Sequence, residues 1–535
     1  MSGIVKGVKL RKFFSYGPVN CKLHFCVPRT QFIESALTQL VGENGEDFGH
    51  YFTVWAPRQT GKTWLMKRVK EEIEKRYGDK FICGFMSMQG VVMEENSSKE
   101  FLQKLPRLFR DTFNLTPQVE SWDDFQDLFS RQVGLFEKPV ILFIDEFDSL
   151  PSKIIDNLVR LFRDIYHKRD VYLLHGLALI GVRAVLGIDS ERGSPFNIQR
   201  SIHVENFTYA EVNDLYHQYI EESGQNVKQE VIDKVFYVTR GHPGLVCWFG
   251  ELITEKYNPG REVEIDLNVW KDVYRRAVKV EWNNTVLNLI KKAKDKYLNQ
   301  VLDLFNNPDK EFSLDVEWCS YLYLNGIIDY ETITEASGEK KEVCRFANPF
   351  IQERLYNALT KTFLGDDTPI YPLSIGDDLS DVFEAGLNLE RLIPRYKDYL
   401  KRLKAKNISP FRNFPKRSDL NIYEAGGHFH LYHWLMNAIG DDCVIVPEFP
   451  TGNGRVDLHV RCNSKEGIIE VKSFSRRKKL EQGKLQAANY AQKLGINKVV
   501  IVVFVHGVEE KEAEILKDDR VIEGVRIITE PVVFY

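Results

Sequence analysis

The stretch YFTVWAPRQTGKT occupies residues 51–63 and joins an apolar run to a short polar loop that ends in Gly-Lys-Thr. The apolar residues 51–55 predict a buried strand, and Leu65, Val69 and Ile73 recur every four residues, which predicts a helix directly after the loop. A strand, a loop and a helix in this order direct backbone amides and the positive end of a helix dipole toward a polyphosphate. The stretch therefore predicts a parallel α/β fold with a nucleotide-binding loop.

The residues of this loop have distinct expected roles. The pattern G-x-x-x-x-G-K-[ST] is met except at its first position, where Ala56 replaces Gly and narrows the available backbone angles without removing an amide. Lys62 is expected to reach the β and γ phosphates of ATP, and the Thr63 hydroxyl is expected to hold Mg2+. The predicted ATP-binding residues of the loop are Ala56, Pro57, Arg58, Gln59, Thr60, Gly61, Lys62 and Thr63.

Length and composition indicate an ordinary soluble protein of several domains, with 535 residues of which 43% are apolar and 28% charged. The formal net charge of -4 argues neither for nor against nucleic acid. Eight cysteines without a C-x-x-C motif favour reduced thiols. No signal peptide is visible and no apolar run is long enough to cross a bilayer, so we expect an intracellular, cytoplasmic protein that does not enter a membrane.

A second nucleotide motif follows the apolar run at residues 139–144, which ends in Asp145-Glu146-Phe147-Asp148. At the carboxyl end of a parallel strand, Asp145 is expected to bind Mg2+, and Glu146 is expected to orient and deprotonate the attacking water. The alternative is a charged turn after a core strand, which the neighbouring phosphate loop disfavours. Further apolar runs after this motif bring the expected sheet to five strands.

The two motifs, with SPFNIQR at residues 194–200 and TRGHPGLV at 239–246, resemble AAA-like P-loop ATPases related to the archaeal and STAND groups. The resemblance implies ATP and Mg2+ as cofactors and Arg200 as a γ-phosphate sensor or arginine finger, with Arg183 as the competing candidate. Many relatives end the fourth strand in a polar sensor residue, which is missing here because the sequence reads Ile-Gly-Val-Arg at residues 180–183.

Residues beyond the core extend this resemblance. His242, in the Gly-His-Pro-Gly interruption of a helical lid, either touches a phosphate or forms a plain turn between helices. The helices, hairpin and closing helix expected within residues 263–362 resemble a winged helix, which serves either as a lever and packing surface or as a DNA-binding module. Residues 396–420 carry eight Lys or Arg with interleaved aromatic residues, and they form either a phosphate-backbone contact or a solvated helix face with a linker.

A second chemical site is predicted near the carboxyl terminus. Glu470 and Lys472 are two residues apart on an expected strand, so their side chains leave the same face, where Asp457 of a neighbouring strand can join them. The two acids form a hard-oxygen site for Mg2+, or alternatively Mn2+, while the lysine orients or activates water. Thr63 and Asp145 in the first site, and Asp457 and Glu470 in the second, are therefore the predicted metal ligands.

This second pattern resembles the PD-(D/E)xK nuclease core. Gln486 and Tyr490 on the next helix resemble the Q-x-x-x-Y of nucleases of the recombination helicase-nuclease type, and Glu424 matches the extra acid of that family, with Glu448 as its alternative. The basic run at residues 476–479 is expected to hold phosphates of a scissile strand. The predicted catalytic residues of the whole chain are Glu146, Asp457, Glu470, Lys472, Gln486 and Glu424. The alternative is an αβ domain that keeps the fold without activity.

Three histidines lie near the predicted extra acid. His430 and His433 can share one helix face, whereas His428 lies nearer Glu424. No Cys pair or H-E-x-x-H motif accompanies them, so positioning or surface roles are favoured over a zinc site.

The whole architecture resembles bacterial AAA-like ATPases with a C-terminal nuclease, and a similar pairing occurs in Crinkler-type effectors, which would place the protein in a nucleus. The resemblance implies a nucleotide-regulated, metal-dependent DNA endonuclease, with DNA as partner, a homo-oligomer as one assembly and conflict with foreign DNA as its role. The alternative is an ATP-dependent switch or scaffold that binds DNA or a partner without cleaving.

The expected domains are a basic arm (1–19), a P-loop ATPase core with a parallel sheet (20–207), a helical lid (208–262), a winged-helix-like domain (263–362), a helical and basic linker (363–418) and a restriction-endonuclease-like α/β domain (419–535).

Overall fold

The computed structural model describes most of the chain. The described residues are 10–43, 49–94, 97–181, 200–306, 310–334, 338–364, 372–374, 376–384, 386–408, 424–440, 443–450, 455–462, 465–474, 476–506 and 508–534. The chain divides into two compact units, Met1–Thr285 with Asp315–Ile327 and Val286–Leu314 with Ile328–Tyr535.

The first half of the chain alternates strands and helices and then becomes helical. Its elements are α1 (Thr30–Val41), β1 (Tyr51–Trp55), α2 (Lys62–Tyr77), β2 (Ile82–Ser87), α3 (Ser98–Phe113), α4 (Trp122–Asp127), β3 (Val140–Asp145), α5 (Ser152–His167), β4 (Leu174–Gly181), β5 (Arg200–His203), α6 (Tyr209–Ser223), α7 (Gln229–Thr239), α8 (Pro243–Gly250) and α9 (Leu267–Lys279).

The second half begins with helices and ends in a strand-rich region. Its elements are α10 (Asn284–Lys294), α11 (Leu298–Asn306), α12 (Glu317–Leu324), β6 (Ile328–Thr334), β7 (Lys340–Phe346), α13 (Pro349–Leu364), α14 (Ser380–Phe383), α15 (Leu392–Ala405), α16 (Glu424–Ala438), β8 (Val444–Pro450), β9 (Arg455–Cys462), β10 (Lys465–Ser473), α17 (Arg477–Lys493), β11 (Lys498–His506), α18 (Glu510–Ala513), β12 (Asp518–Ile522) and β13 (Val525–Phe534).

A five-stranded parallel sheet with the order β2-β3-β4-β1-β5 forms the centre of the first unit. Both faces are covered, because alternate residues of β3 enter two separate cores. Leu142 and Ile144 pack with residues of α3 and α5, whereas Ile141 and Phe143 pack with residues of α1 and α2. This two-sided burial explains why the strand is a continuous apolar run instead of an alternating one. The predicted parallel sheet is thus confirmed.

The amino-terminal segment differs from the predicted basic arm over the residues that are described. Phe13 is buried, and its ring lies 4.9 Å from that of Tyr216 and 5.2 Å from that of Phe25. A Cβ built on Gly250 of α8 would lie 2.3 Å from the Phe13 ring, so this glycine is needed for the close packing. The backbone N–H and the hydroxyl of Ser15 both donate to the carboxylate of Glu251. The sequence does not reveal this contact, because one packed ring produces no periodic pattern.

A mixed six-stranded sheet with the order β12-β13-β11-β10-β9-β8 lies in the second unit. β10, β11 and β13 run parallel, while β8, β9 and β12 are joined to their neighbours by antiparallel pairing. One face packs through Ile501 and Val503 of β11 against Ala487 and Ala491 of α17. On another face of β11, Phe504 lies so near Gly427 of α16 that a Cβ there would be 2.3 Å from its ring. Helices therefore contact both faces of this sheet.

Two cysteine pairs are bonded, which corrects the expectation of reduced thiols. Cys21 is bonded to Cys26, and Cys443 is bonded to Cys462. The second pair joins the residue before β8 to the last residue of β9, and the pairing of Val444 with Arg461 brings these neighbouring cysteines together. The two cysteines are 19 positions apart in sequence, so spacing alone does not reveal the pairing.

The predicted hairpin and closing helix after residue 326 are present as β6, β7 and α13. Arg345 of β7 is buried and forms an ion pair with Glu331 of β6 at 2.7 Å. The residues predicted to form a winged helix are divided between the two compact units, so the winged-helix assignment stays a prediction.

We predict that Phe13→Ala lowers the free energy of unfolding by about 3–5 kcal/mol, because it removes a fully packed aromatic ring and leaves a cavity. Urea unfolding of the full chain measures this change. Leu23→Ala is the matched control, since Leu23 lies in the same segment but is 49% exposed. Equal stability of the Phe13 variant and the native protein would show that the segment is a dispensable arm.

Candidate functional site

The loop between β1 and α2 is shaped by two residues with left-handed backbone conformations. Gln59 has a φ of 59° and Gly61 has a φ of 88°, whereas Ala56 is not among the described residues with positive φ. A methyl group at Ala56 is therefore tolerated, because this loop does not require glycine there. Among the described residues, no heavy atom of another element lies within 4 Å of a Cβ built on Gly61, so the start of α2 faces open space.

Lys62 lies at the first position of α2 and folds back over the loop. Its Nζ donates hydrogen bonds to the carbonyl oxygen of Ala56 at 2.9 Å and of Pro57 at 2.7 Å. Burial lowers the pKa of Lys62 to about 8, although the nearby carboxylates of Glu146, Asp148 and Asp145 oppose this change. An ammonium group held this way is oriented before a phosphate arrives, and phosphate oxygens are stronger partners than neutral carbonyls.

Thr63 and Asp145 meet across the edge of the sheet. The Thr63 hydroxyl donates to Asp145 Oδ2 at 2.9 Å, although 82 residues separate the two in sequence. Asp145 is buried, and this burial raises the pKa of its carboxyl group. A hydroxyl and a carboxylate side by side are oxygen ligands of the kind that Mg2+ takes, so the two residues fit this ion.

Glu146 follows the end of β3 in a left-handed conformation, with a φ of 53°. Such a conformation costs a non-glycine residue roughly 1–3 kcal/mol and is concentrated at functional sites. Burial, followed by the charges of Asp145 and Asp148, raises the pKa of the Glu146 carboxyl group. A raised pKa makes a carboxylate a better proton acceptor, which suits the predicted role as general base.

The lid contacts backbone carbonyl groups of the phosphate loop through one side chain and one backbone N–H. His242 is buried, its Nδ1 accepts the N–H of Leu245 at 3.3 Å, and its Nε2 lies 3.1 Å from the carbonyl oxygen of Arg58. Acceptance at Nδ1 places the proton on Nε2, which then donates to Arg58. The N–H of Gly244 donates to the carbonyl oxygen of Gln59 at 2.9 Å. The interpretation as a turn between helices is therefore incomplete, since the turn also holds the loop.

The structure describes the side chain of neither predicted arginine sensor. Arg183 lies outside the described residues. Arg200 begins β5, where its backbone pairs with Phe52, but its side chain lies outside the description. Both residues keep their predicted roles as alternatives.

The second candidate site forms where β9 and β10 pair. The antiparallel register aligns Leu458 with Ile469, and the preceding Asp457 comes next to Glu470. The N–H of Asp457 donates to Glu470 Oε1 at 3.4 Å, and Asp457 Oδ2 accepts the N–H of Val471 at 2.6 Å. Burial, with the charge of Asp457, raises the pKa of Glu470. The two acids therefore converge in a poorly hydrated place.

Lys472 lies between these acids. Its Nζ is 3.5 Å from Asp457 Oδ2 and 3.3 Å from Glu470 Oε2, and it donates to the carbonyl oxygen of Val471 at 3.0 Å. Two carboxylates and one ammonium leave a net negative charge when all three are ionised. This oxygen-rich donor set fits a divalent cation such as Mg2+ or Mn2+.

Two residues that support this site escaped the sequence analysis in that role. A Cβ built on Gly483 of α17 would lie 3.4 Å from Lys472 Cε, so the lysine side chain passes over this glycine. The signal was the small-residue spacing Gly483–Ala487 on one helix face. His428 is buried, and its Nε2 lies 2.9 Å from the carbonyl oxygen of Asp457. Its role depends on a backbone contact, which a sequence pattern does not display.

The remaining predicted nuclease residues lie on neighbouring elements. Gln486 donates to the Tyr490 hydroxyl at 2.6 Å, so the two residues meet on one face of α17. The basic residues at 476–479 are exposed around the start of α17. Glu424 begins α16 and Glu448 lies in β8, but the side chains of both acids lie outside the description.

The three histidines do not share a single site. His430 Nδ1 lies 2.6 Å from the Tyr396 hydroxyl, and His433 contacts Asn437, while His428 faces Asp457. No group of three or more His, Cys, Asp or Glu side chains suited to a metal ion is found within the described ranges.

The described part of the basic stretch on α15 is occupied by internal contacts. Lys397 pairs with Glu530 and Lys401 pairs with Glu510, both at 3.1 Å, and Tyr399 is buried. Both expected roles, a phosphate contact and a solvated helix face with a linker, stay predictions, and the described residues add internal ion pairs that neither of them included. Phe411 and Phe414 of this stretch lie outside the description.

None of the helices in the described part of the chain is long and apolar enough to cross a membrane.

Comparison with protein families finds that the model described as "AAA-like domain" matches residues 14–284. Comparison with curated proteins finds no match. Among solved structures, the chain is similar to a Walker-type ATPase of Pyrococcus abyssi, with 15% identity over 64% of this chain and 99% of that one and a TM-score of 0.42. It is also similar to the ORC2 protein of Aeropyrum pernix in ADPNP-ADP complexes, with 11% identity, coverage of 63% and 95%, and a TM-score of 0.40. The ORC1 protein of Aeropyrum pernix in complex with DNA matches at 13% identity, with coverage of 63% and 93% and a TM-score of 0.35.

The protonation of His430 gives a testable pH dependence. Burial lowers its pKa to about 3, well below the value of 6.5 for an exposed histidine. The unfolded chain therefore binds a proton that the folded chain does not bind, and the free energy of unfolding falls as the pH drops from about 6.5 toward about 3. We expect His430→Gln to make this fall less steep in urea unfolding at pH 7 and pH 5. An unchanged slope would contradict the assignment of His430 as a buried neutral group.

Proposed function

This chain belongs to the AAA-like domain family, and we propose that it is an ATP-hydrolysing protein whose nucleotide state regulates a metal-dependent DNA endonuclease at its carboxyl-terminal sheet. The observation that carries the second part is the convergence of Asp457, Glu470 and Lys472 on adjacent strands. These strands belong to a helix, three strands, a helix and a strand in chain order, from α16 to β11. That order supports the resemblance to the PD-(D/E)xK core.

At the first site, the chain's own residues perform the steps of binding and proton transfer. The ammonium of Lys62 leaves the loop carbonyls and pairs with the β and γ phosphates of ATP. Bound Mg2+ supplies charge neutralisation at the phosphates, and Thr63 and Asp145 are the residues that would hold it. Glu146 takes a proton from the attacking water.

At the second site, Asp457 and Glu470 would hold a divalent cation, which stabilises developing negative charge on a phosphodiester. Lys472 then exchanges one carboxylate partner for a scissile phosphate or for the attacking water. The exposed basic residues at the start of α17 bind flanking phosphates, where the helix dipole also favours anions. His428 holds the backbone of Asp457 and thereby fixes where its carboxylate points.

The alternative function is an ATP-dependent switch whose second sheet binds DNA or a partner without cleaving. One observation favours it: Lys472 lies within 3.5 Å of both acids and offsets part of their charge. Removal of one partner from a buried ion pair is strongly destabilising, so a purely structural role would also require the lysine.

Cleavage of plasmid DNA tests the two functions. The full chain is incubated with Mg2+ or Mn2+ and with ATP, ADP or no nucleotide. Nucleotide-dependent cleavage by the native protein that is lost in Asp457→Ala supports the endonuclease. Binding without cleavage under every combination supports the switch and refutes the endonuclease.

We predict that Lys62→Ala weakens ATP binding by roughly tenfold to a hundredfold or more, because it removes a charge-assisted contact worth about 1.5–3 kcal/mol. Calorimetry with ATP and Mg2+ measures the affinity. Lys75→Ala is the control, since Lys75 lies on the same helix with its side chain 74% exposed. Equal affinities for both variants would refute the assignment of the phosphate loop.

We predict that Lys472→Ala lowers the cleavage rate by about 10²–10⁴-fold, the range for loss of a positioned acid-base group. The melting temperature should change little when Mg2+ is present, because the cation compensates the two acids. Lys511→Ala, an exposed lysine of α18, is the control.

The alternative function predicts a different result for the same variant. If Lys472 only compensates buried acids, its removal costs about 3–5 kcal/mol of stability, and there is no cleavage to lose. A Lys472→Ala protein that cuts DNA at the native rate would refute its catalytic role, whatever its stability.

A further inference from the structure

β4 reaches the nucleotide site with a glycine, Gly181, as its last described residue. β4 lies between β3 and β1 in the sheet, and its last residue, Gly181, pairs with Trp55 at the end of β1. The phosphate loop follows Trp55, Asp145 ends β3, and Glu146 follows it. Gly181 therefore lies between the two halves of the site but contributes no side chain to it.

The side chain of Asp148 fills this place. A Cβ built on Gly181 would lie 2.6 Å from Asp148 Oδ1, 2.9 Å from its Cγ and 3.3 Å from its Cβ. The carboxylate thus packs directly on the bare backbone of β4. The backbone of Gly181 does not have a positive φ, so space for Asp148, and not backbone conformation, is what requires glycine here.

The turn after β3 brings Asp148 back to this place. Glu146, with its left-handed φ, reverses the chain into a short 3-10 helix, Phe147–Ser149. The N–H of Ser149 donates to the carbonyl oxygen of Glu146 at 2.9 Å, and Phe147 is buried in the core. The same strained turn therefore places both acids at the sheet edge, Glu146 at its start and Asp148 two residues later.

Chain geometry places Asp148 beside the predicted nucleotide ligands. Its carboxylate lies against Gly181, which pairs with Trp55 directly before the phosphate loop, and Glu146 lies two residues before Asp148 in the same turn. Asp148 therefore lies at the sheet edge where the nucleotide ligands are predicted.

We infer that Asp148 is a positioning residue for ATP hydrolysis, and that from the end of β4 it holds the attacking water against Glu146. In the step that follows, the water oxygen bonds to the γ-phosphorus while the bond from that phosphorus to the ADP oxygen breaks. Glu146 takes one proton of the water, and the Asp148 carboxylate accepts a hydrogen bond from the other O–H. The products are ADP and inorganic phosphate. The inference rests on the proposed ATPase activity.

The test compares four variants of the full chain: Asp148→Ala, Asp148→Asn, Gly181→Ala and the double variant Asp148→Ala/Gly181→Ala. We expect Asp148→Ala to lower kcat by roughly 10–100-fold with little change in KM, which is the scale of losing alignment at a reacting centre. Asp148→Asn keeps an acceptor oxygen and should retain more activity. Asp156→Asn, an exposed acid on α5, is the control and should leave kcat unchanged.

Gly181→Ala tests whether the position of the Asp148 carboxylate against β4 affects kcat. The added methyl group must displace the carboxylate of Asp148, so this variant should lose kcat to a similar degree without any change in an ionisable residue. The double variant should lose no more than Asp148→Ala, because both changes act through one contact. Additive losses would overturn the inference that Gly181 acts by making room for Asp148.

Two results would overturn the role of Asp148, and they are distinguishable. If the native protein hydrolyses ATP and Asp148→Ala keeps its kcat while only the melting temperature falls, Asp148 is structural and the ATPase activity stands. If the native protein binds ATP in calorimetry but releases no phosphate, the proposed ATPase activity fails, and the inference fails with it.

Discussion

The hydrogen bond from Thr63 to Asp145 joins the start of α2 to the end of β3 across the edge of the parallel sheet. β4 separates β1 from β3, so this contact spans the carboxyl edge of three neighbouring strands. The remaining groups of the site are placed relative to it, since Lys62 precedes Thr63 and Glu146 follows Asp145. A shift of either element by one residue would point these side chains away from each other. The close packing on both faces of the sheet prevents such a shift.

The six-stranded sheet also depends on contacts of a buried carboxylate, but here the partners are a lysine and a backbone N–H. Asp457 and Glu470 are acids on a largely buried surface, and buried charges are stable only when they are paired. Lys472 and the N–H of Val471 supply the partners, and Gly483 leaves the space through which the lysine passes. The groups that we propose for catalysis are therefore the same groups that form the buried ion pairs.

Local sequence patterns predicted the parts of both sites that depend on periodicity. The continuous apolar run of β3 follows from burial on both faces, and the two-residue spacing of Glu470 and Lys472 follows from strand geometry. The contact of Asp148 with Gly181 was not predicted, because it depends on the order of strands in the sheet. The ion pairs of α15 were missed for a related reason, since Lys397 and Lys401 find partners more than a hundred residues away. Contacts between residues far apart in sequence cannot be predicted from local periodicity.

Lys62 and Lys472 differ in the groups that a phosphate must displace from them. Under the proposed function, this difference determines whether a metal must bind before the phosphate at each site. Lys62 is held by two neutral carbonyl oxygens, which a charged phosphate replaces with a gain in electrostatic energy. Lys472 is held by two carboxylates, so a phosphate gains nothing by replacing one of them while that carboxylate stays buried and unpaired. A divalent cation that takes over Asp457 and Glu470 removes this obstacle. Under the proposed function, the first site would thus accept phosphate directly, whereas the second site would need a bound metal before the lysine becomes available to DNA.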